Sequence, residues 1–491
     1  MSDPDLVADR PATFREVLAN GEFRAVFFAG SLSTVGDSMA RAAVTALVFQ
    51  RTGSVLAASA TFAISYLPWI GLGSVLAAVA ERYPYRRTMV VCDVARMVTI
   101  GLVAVPRMPL YLLLGLLFLT ALFDPPFRAA RSALNPRILS GDRYVLSLSL
   151  IETVTQIALV AGYLLGGTIA AYNARVAVAF DAVTFGVSAL IVGLFVRPRE
   201  PALRPERRTR LLRETAEGFE VVFGSRVLRS IAIVIFASLL FAVVPEGLGA
   251  AWAGHLTDNL HDRGWMQGVI MCSTPLGFVV GSVVINRFVR PSVRLLLIRP
   301  LAIMTPLALV AALLDPPVYG VAAIAAASGF AVAGLLPASN GLFVQALPTE
   351  VRARAFGVMM SGVQLSQGGA VFLTGLLASH ISLPVVVGLW GVGGVMLMVL
   401  AGVTWPRPEA VTAKIEQARR VNAEERPPTD RQPTRSAGSG GAHRPSPRTT
   451  PSPSARADAG PTRSDGDHVP PRPGPPGPSG GGRHRLRAAS R

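Results

Sequence analysis

Apolar residues in this chain gather into twelve runs of roughly twenty, the length at which an α-helix crosses a hydrocarbon layer about 30 Å thick. Inside such a layer backbone N–H and C=O groups find no water, so only helices and closed barrels satisfy them. The runs lack the two-residue alternation of barrel strands, which leaves helices. Spans are expected at 23–49, 55–80, 88–106, 109–124, 146–171, 176–196, 230–251, 266–286, 294–313, 317–338, 355–379 and 383–405. Only 16% of the 491 residues are charged, against about 25% in a soluble domain. That balance fits a membrane protein.

A formal charge of +17 invites a nucleic-acid reading, but its placement argues against one. Nearly all of it is arginine, with Lys414 the single lysine, and about half of the net excess lies in 406–491. With the N-terminus taken as cytoplasmic, the inside connections hold Arg82, Arg86 and Arg87, then Arg128, Arg131, Arg137 and Arg143. Further arginines crowd the longest connection, 197–229, and Arg287, Arg290, Arg294, Arg299, Arg352 and Arg354 follow on the same side. The outside connections hold Arg51, Arg107, Arg175 and Arg263. Such asymmetry sets orientation in a membrane, so a multi-pass cell-membrane protein with both termini cytoplasmic is expected. Cys92 and Cys272 lie inside apolar runs and suggest neither a disulfide nor a zinc site. The stretch 1–22 is polar, without the short apolar core of a secretory signal.

The 197–229 connection separates six spans from six, and an internal repeat supports the division. Shifted by 208, Gly73-Ser74-Val75 meets Gly281-Ser282-Val283, and Arg82 and Arg86 meet Arg290 and Arg294. Shifted by 212, Pro125, Pro136, Ser149 and Glu152 meet Pro337, Pro348, Ser361 and Gln364. Each match falls at the same topological place in its half, as parallel transporter repeats require. The expected organisation is a cytoplasmic segment 1–22, a six-helix bundle 23–196, a cytoplasmic loop 197–229, a second bundle 230–405 and a tail 406–491. Pro, Gly, Ser and Arg dominate the tail, which is too poor in apolar residues to fold.

Ionisable residues within the spans narrow the chemistry. Asp37 and Arg41 stand one turn apart in the first span, with Ser33 and Thr45 on the same stripe. Each charge at a helix centre costs roughly 2.5–3.5 kcal/mol, so the two must face each other, another helix or water. A salt bridge holding the bundle and a role in handling protons or substrate both remain open. Glu246 lies near the outer end of the seventh span, where an interfacial place and a cavity place are both available. Glu152, with Ser149 and Gln156 on its face, is the repeat partner of Gln364, which lies near Ser361 and Gln367. These faces suit a polar or cationic molecule. Asp93 and Arg96 read as a structural pair one turn apart, and Asp181 as an anion near a helix start. The loop His255 to Asp262 has metal-ligating residue types without the spacing of a closed site.

Three segments resemble the major facilitator superfamily. Ala77-Ala78-Val79-Ala80-Glu81-Arg82-Tyr83-Pro84-Tyr85-Arg86-Arg87 is similar to its acidic-then-arginine loop after the second span, with Ala77, Glu81 and Pro84 in place of glycine, aspartate and glycine. Gly162-Tyr163-Leu164-Leu165-Gly166-Gly167 is similar to its antiporter motif, with tyrosine in place of proline. Leu347-Pro348-Thr349-Glu350-Val351-Arg352-Ala353-Arg354-Ala355-Phe356-Gly357 resembles the loop before the eleventh helix in the macrolide-efflux-like drug:proton antiporters, a branch that Asp93-x-x-Arg96 and Phe180 to Phe185 also fit. The resemblance covers roughly 20–405. It implies an all-α membrane fold of twelve helices in two pseudo-symmetric bundles. It further implies a cytoplasmic gate built from Glu81, Arg82, Arg86, Arg87, Asp93 and Arg96. Gly162, Gly166 and Gly167 would allow the fifth helix to bend.

The leading expectation is a secondary transporter that exports a small amphipathic organic molecule against protons, without a cofactor or metal and as a monomer. Asp37, Arg41, Glu152, Gln156, Glu246 and Gln364 are its candidate coupling or cavity residues. An ATP-driven cycle within this chain is excluded, because a phosphate-binding loop ends in lysine and Lys414 lies in the tail. An importer or siderophore-type exporter on the same scaffold is the first alternative, and a non-transporting membrane sensor or scaffold the second. No His-rich or paired-acid cluster suggests an enzyme.

Overall fold

The computed structural model describes residues 13–70, 73, 76, 82–199, 211–403 and 405–424. The fold is all-α, and the twelve spans are mapped from the chain start as follows. A short helix α1 (Phe14–Ala19) leads into α2 (Gly21–Thr52), the first span. Asn20 starts α2 by accepting from the amides of Glu22 and Phe23, which would otherwise lack partners. Gly53 ends it at φ +61, a left-handed conformation that glycine adopts at no steric cost. The second span begins as α3 (Val55–Ala63), capped by Ser54, and continues as a tighter 3-10 turn through Trp69. The third is α4 (Tyr85–Val103).

The fourth span corrects an expectation. The expected span ends at 124, yet α5 (Leu110–Leu122) is followed at once by α6 (Asp124–Ile138). The prolines occupy the first turn of α6, where a missing N–H costs nothing. The two helices run as one 29-residue helical stretch that contains an apolar window long enough to span, and Arg128 and Arg131, assigned above to a connection, lie on its helical continuation. The fifth and sixth spans share α7 (Asp142–Phe195), broken at Asn173, whose side chain accepts from the Arg175 amide and restarts the helix.

The 197–229 connection contains α8 (Leu211–Gly224), with Arg354 pairing to Glu217 at 2.8 Å. The seventh span is broken into α9 (Arg226–Ala242), α10 (Val244–Gly247) and α11 (Gly249–Leu256). Then come α12 (Leu260–Phe288), the short α13 (Pro291–Leu296), α14 (Ile298–Val310), α15 (Val318–Gln345), α16 (Thr349–Leu377) and α17 (Leu383–Val403). The expected disordered tail is corrected at its start: α18 (Pro408–Glu424) is a helix. Val411 and Ile415 pack on the cluster around Leu228, Ile231 and Phe343, and Ala418 is buried. The three fall on one face at four- and three-residue spacing.

Six of these helices or helix pairs are long and apolar enough on their own to cross a membrane. Their polarity is inverted relative to a soluble bundle. On α4, Val91, Val94, Val98 and Leu102 are exposed in one stripe, while Asp93, Arg96 and Thr99 are buried on the other face. Lipid is the solvent that such a surface requires. The first half packs α2 and α4 on α7, and the second packs α12 and α14 on α15 and α14 on α17. Across the halves α7 meets α12 and α3 meets α16.

Candidate functional site

Between the halves lies a cavity of about 380 Å³. The first half contributes charge to its wall: Asp37 and Arg41 from α2, Arg96 from α4, Asp124, Arg128 and Arg131 from α6, and Glu152 and Gln156 from α7. The second half contributes mainly apolar surface, including Leu239, Phe278, Val332 and Leu336, with Glu246 and Gln367. Of the residues expected to line a cavity, five do: Asp37, Arg41, Glu152, Gln156 and Glu246. Gln364 does not, and Gln367, one turn along the same helix, takes that place.

The internal contacts sort these charges. Arg96 bonds Asp124 at 3.1 Å and the Phe123 carbonyl at 2.9 Å, and Arg128 grips the same carboxylate at 2.8 Å. Gln156 donates to Glu152 at 2.9 Å. Tyr163 donates its hydroxyl to Glu246, which settles that residue inside the cavity wall and not at the interface. The break between α9 and α11 around Pro245 makes this possible, with ten further residues to Leu256 beyond Glu246. Of the two readings left open for Asp37 and Arg41, the salt bridge is not formed: among the described residues no ion pair within 4.0 Å joins them. The Arg41 guanidinium instead sits 5.4 Å from the centre of the Phe62 ring.

Behind this cavity a smaller one of about 80 Å³ lies inside the first half, lined by Asp37, Arg41, Arg96, Asp124, Arg128 and Asp181 among others. Asp181 is therefore not a helix-end anion. It is 1% exposed, eight residues beyond the break at Asn173, and packs against Gly36. Asp93 is equally buried, accepting from Ser188 at 2.6 Å and lying 3.9 Å from Arg96. Asp93 and Arg96, expected in the gate, are both buried, Asp93 against Ser188 of α7 and Arg96 against Asp124 of α6. Of the other gate residues, Arg86 donates to the Gly193 carbonyl, Arg82 and Arg87 are exposed, and Glu81 lies outside the described residues. A clasp that sequence reasoning missed joins α2 to the end of α7: Glu22 pairs with Arg199 and accepts from the Arg197 amide at 3.1 Å. Burial opposes the Glu22 charge, but these bonds outweigh it and hold the carboxyl below its ordinary range.

Gly162, Gly166 and Gly167 occur in a stretch of α7 whose backbone angles stay helical. They let backbones touch. A Cβ on Gly162 would meet Ser38 and the Val35 carbonyl, one on Gly166 the Met39 backbone, and one on Gly167 the Gly264 and Gly268 backbone of the second half. Phe49 against Gly254, Ser59 against Gly375 and Tyr172 over His261 continue this seam. Gln267 reaches across to the Ala42 carbonyl at 2.7 Å. The halves are thus closed from the end carrying Gly53 and Asn173 down to the cavity. The His255 to Asp262 loop uses its polar groups structurally: Asp258 pairs with Arg263 and Asn259 caps α12.

The sequence profile described as Major Facilitator Superfamily matches residues 26–324 and 247–450. No curated protein matches the chain. Among solved structures, the nucleoside transporter NupG (D323A mutant) superposes with a TM-score of 0.63 at 12% identity, over 78% of this chain and 99% of that one. A POT family transporter in complex with 5-aminolevulinic acid gives 0.61 at 12% identity, over 77% and 95%. A bacterial homolog to the human lysosomal transporter Spinster, in an inward-facing and occupied conformation, gives 0.55 at 12% identity, over 82% and 97%. At such identities the likeness is one of fold.

Proposed function

The chain belongs to the Major Facilitator Superfamily, and on that premise we propose that it is a proton-coupled secondary transporter that exports a small amphipathic organic molecule by alternating access. The observation that carries this reading is Asp37. It is a carboxylate in the wall of a cavity between two halves, and among the described residues it forms no ion pair within 4.0 Å that would fix its charge. A charge held at membrane depth costs several kcal/mol. Taking a proton removes that cost, and a rearrangement that changes which side wets the cavity changes where the proton comes from. Glu246 supports the same reading from the second half, because the Tyr163–Glu246 bond links the halves at cavity level and must break if they separate there.

Export is favoured by the likeness of Gly162 to Gly167 to the antiporter motif, and the mixed charged and apolar wall suits an amphipathic cargo. The orientation proposed places both termini in the cytoplasm, with the closed seam facing outward and Arg86 and Arg87 at the inner mouth. The experiment is proton movement in inverted membrane vesicles, screened over a panel of amphipathic compounds. Collapse of an imposed proton gradient by one compound class supports coupled export. No response to any compound rejects it in favour of a sensor or scaffold.

A further inference from the structure

Most cavity charges are satisfied within the protein. Asp124 is shared by Arg96 and Arg128, Glu152 holds the Gln156 amide, and Glu246 holds the Tyr163 hydroxyl. Among the described residues Asp37 and Arg41 form no ion pair, and the Arg41 guanidinium is placed against the Phe62 ring. Arg131 is left over. It lines the cavity, and among the described residues it has neither a hydrogen bond nor a carboxylate within 4.0 Å. A guanidinium presents five donors and stays charged at any physiological pH, so one left without a partner in a cavity wall is suited to take an anion.

The surroundings of Arg131 are built for it. Its Nη1 lies 2.7 Å from where a Cβ on Gly30 would be, so glycine at position 30 makes the room the guanidinium uses. Ser33 is one turn further along the same face of α2, which sets its Cβ about 5–6 Å from that point. Ser33 is 4% exposed, lines the cavity and has a buried Oγ with no hydrogen-bond partner. A hydroxyl and a guanidinium, both unsatisfied, thus flank one corner of the cavity, while the apolar wall of Phe278, Val332 and Leu336 lies in the second half.

We infer that this corner is an anion subsite and that the transported molecule is an amphipathic organic anion, its carboxylate or phosphate held by Arg131 and Ser33 and its apolar body against the second half. The inference rests on the transport reading for its meaning, and it replaces the cationic preference suggested by Glu152. A cavity of about 380 Å³ suits a ring system and falls short of a phospholipid's paired acyl chains. Export of an anion also agrees with coupling to inward protons. Both movements carry positive charge equivalents inward, each favoured by roughly 2.3 kcal/mol per 100 mV of inside-negative potential.

The test is equilibrium binding to purified full-length protein in detergent, with naphthyl phosphate, naphthoate and naphthylmethylammonium as probes of one ring and opposite charge. Preferential binding of the two anions is expected. Arg131→Gln should weaken them by about tenfold or more, the worth of a lost charge-assisted contact, and Arg131→Lys should restore most of it. Should Arg131→Gln fail to fold, Gly30→Ala asks the same question, since its Cβ displaces the guanidinium while keeping the charge. Equal or tighter binding of the ammonium, tighter binding of lysophosphatidic acid, no binding of either anion, or an unchanged anion affinity in a folded variant each overturns the inference. Binding in detergent depends on neither direction nor protons. A protein that binds these anions without moving protons would reject the coupled-export reading alone. Coupled proton movement without anion binding would reject the subsite alone.

Discussion

Asp37 and Arg41 stand one turn apart without forming a pair, so their roles are separable by mutation. Asp37→Asn keeps the shape and removes the charge that a proton would neutralise. Substrate-driven proton movement in vesicles is expected to vanish while substrate binding survives. Arg41→Ala should shift the pH dependence of transport without abolishing it. If instead both single changes lower the folded yield and the double change restores it, the two residues only stabilise the bundle. Tyr163→Phe tests the second carboxylate. It leaves the Glu246 oxygen without its donor, a loss of about 1–3 kcal/mol for a buried acceptor, to be read as a lower thermal unfolding temperature in detergent. Asp37 was legible because a charge inside an apolar run has few explanations. Arg131 was not. The double proline before it looks the same in sequence whether it ends a span or opens the next turn, and only the second case carries the helix on to bring the arginines into the cavity wall.

The helix elements differ in how far pattern alone defines them. Long apolar runs such as α15 and α17 were legible because length and hydropathy suffice, whereas the break in the seventh span and the helix α18 depend on contacts remote in sequence. In α18 three residues on one face find an apolar platform that composition does not reveal. Asn422 then accepts from both the amide and the hydroxyl of Thr349 at 2.8 Å, satisfying the first turn of α16, where Pro348 offers no side-chain cap. Removing it with Asn422→Ala should cost about 0.5–2 kcal/mol, the usual worth of such a cap. Truncation after Pro408 should lower the unfolding temperature more strongly, and truncation after Glu424 should leave it unchanged. Equal melting of all three proteins would make α18 a bystander. The Glu22–Arg199 clasp should carry a pH signature. A carboxyl held below its ordinary value stabilises the fold above that value, and the contribution is lost as pH falls through the lowered one. Glu22→Gln should flatten this acid limb of the stability curve.

At the scale of the molecule, two six-helix halves and their pseudo-repeat were readable from span number and arginine placement, but the seam between the halves was not. It consists of glycines whose meaning depends on what lies opposite. Gly167 is the clearest case. Its Cβ would lie 2.5 Å from the Gly264 oxygen and 2.6 Å from the Gly268 nitrogen, both backbone atoms that no rotamer change can move aside. Gly167→Val therefore cannot keep the seam closed at its present spacing. Overpacking at such contacts costs typically about 1–3 kcal/mol, enough to move a two-state access equilibrium by roughly 5- to 150-fold. The readout is a crosslink between Tyr172→Cys and His261→Cys, whose parent rings lie 4.4 Å apart across the seam. Cys92 and Cys272 are buried and contribute little background. The yield should fall several-fold in the Gly167→Val background and stay at the parent level with Gly115→Val, where a Cβ meets nothing within 4 Å. Substrate that binds the present closed-seam state should restore part of the lost yield, because it stabilises only the conformation whose cavity it fits. A crosslink yield indifferent to Gly167→Val would mean that the halves do not separate at this seam, and the alternating-access reading would have to place its outer gate elsewhere.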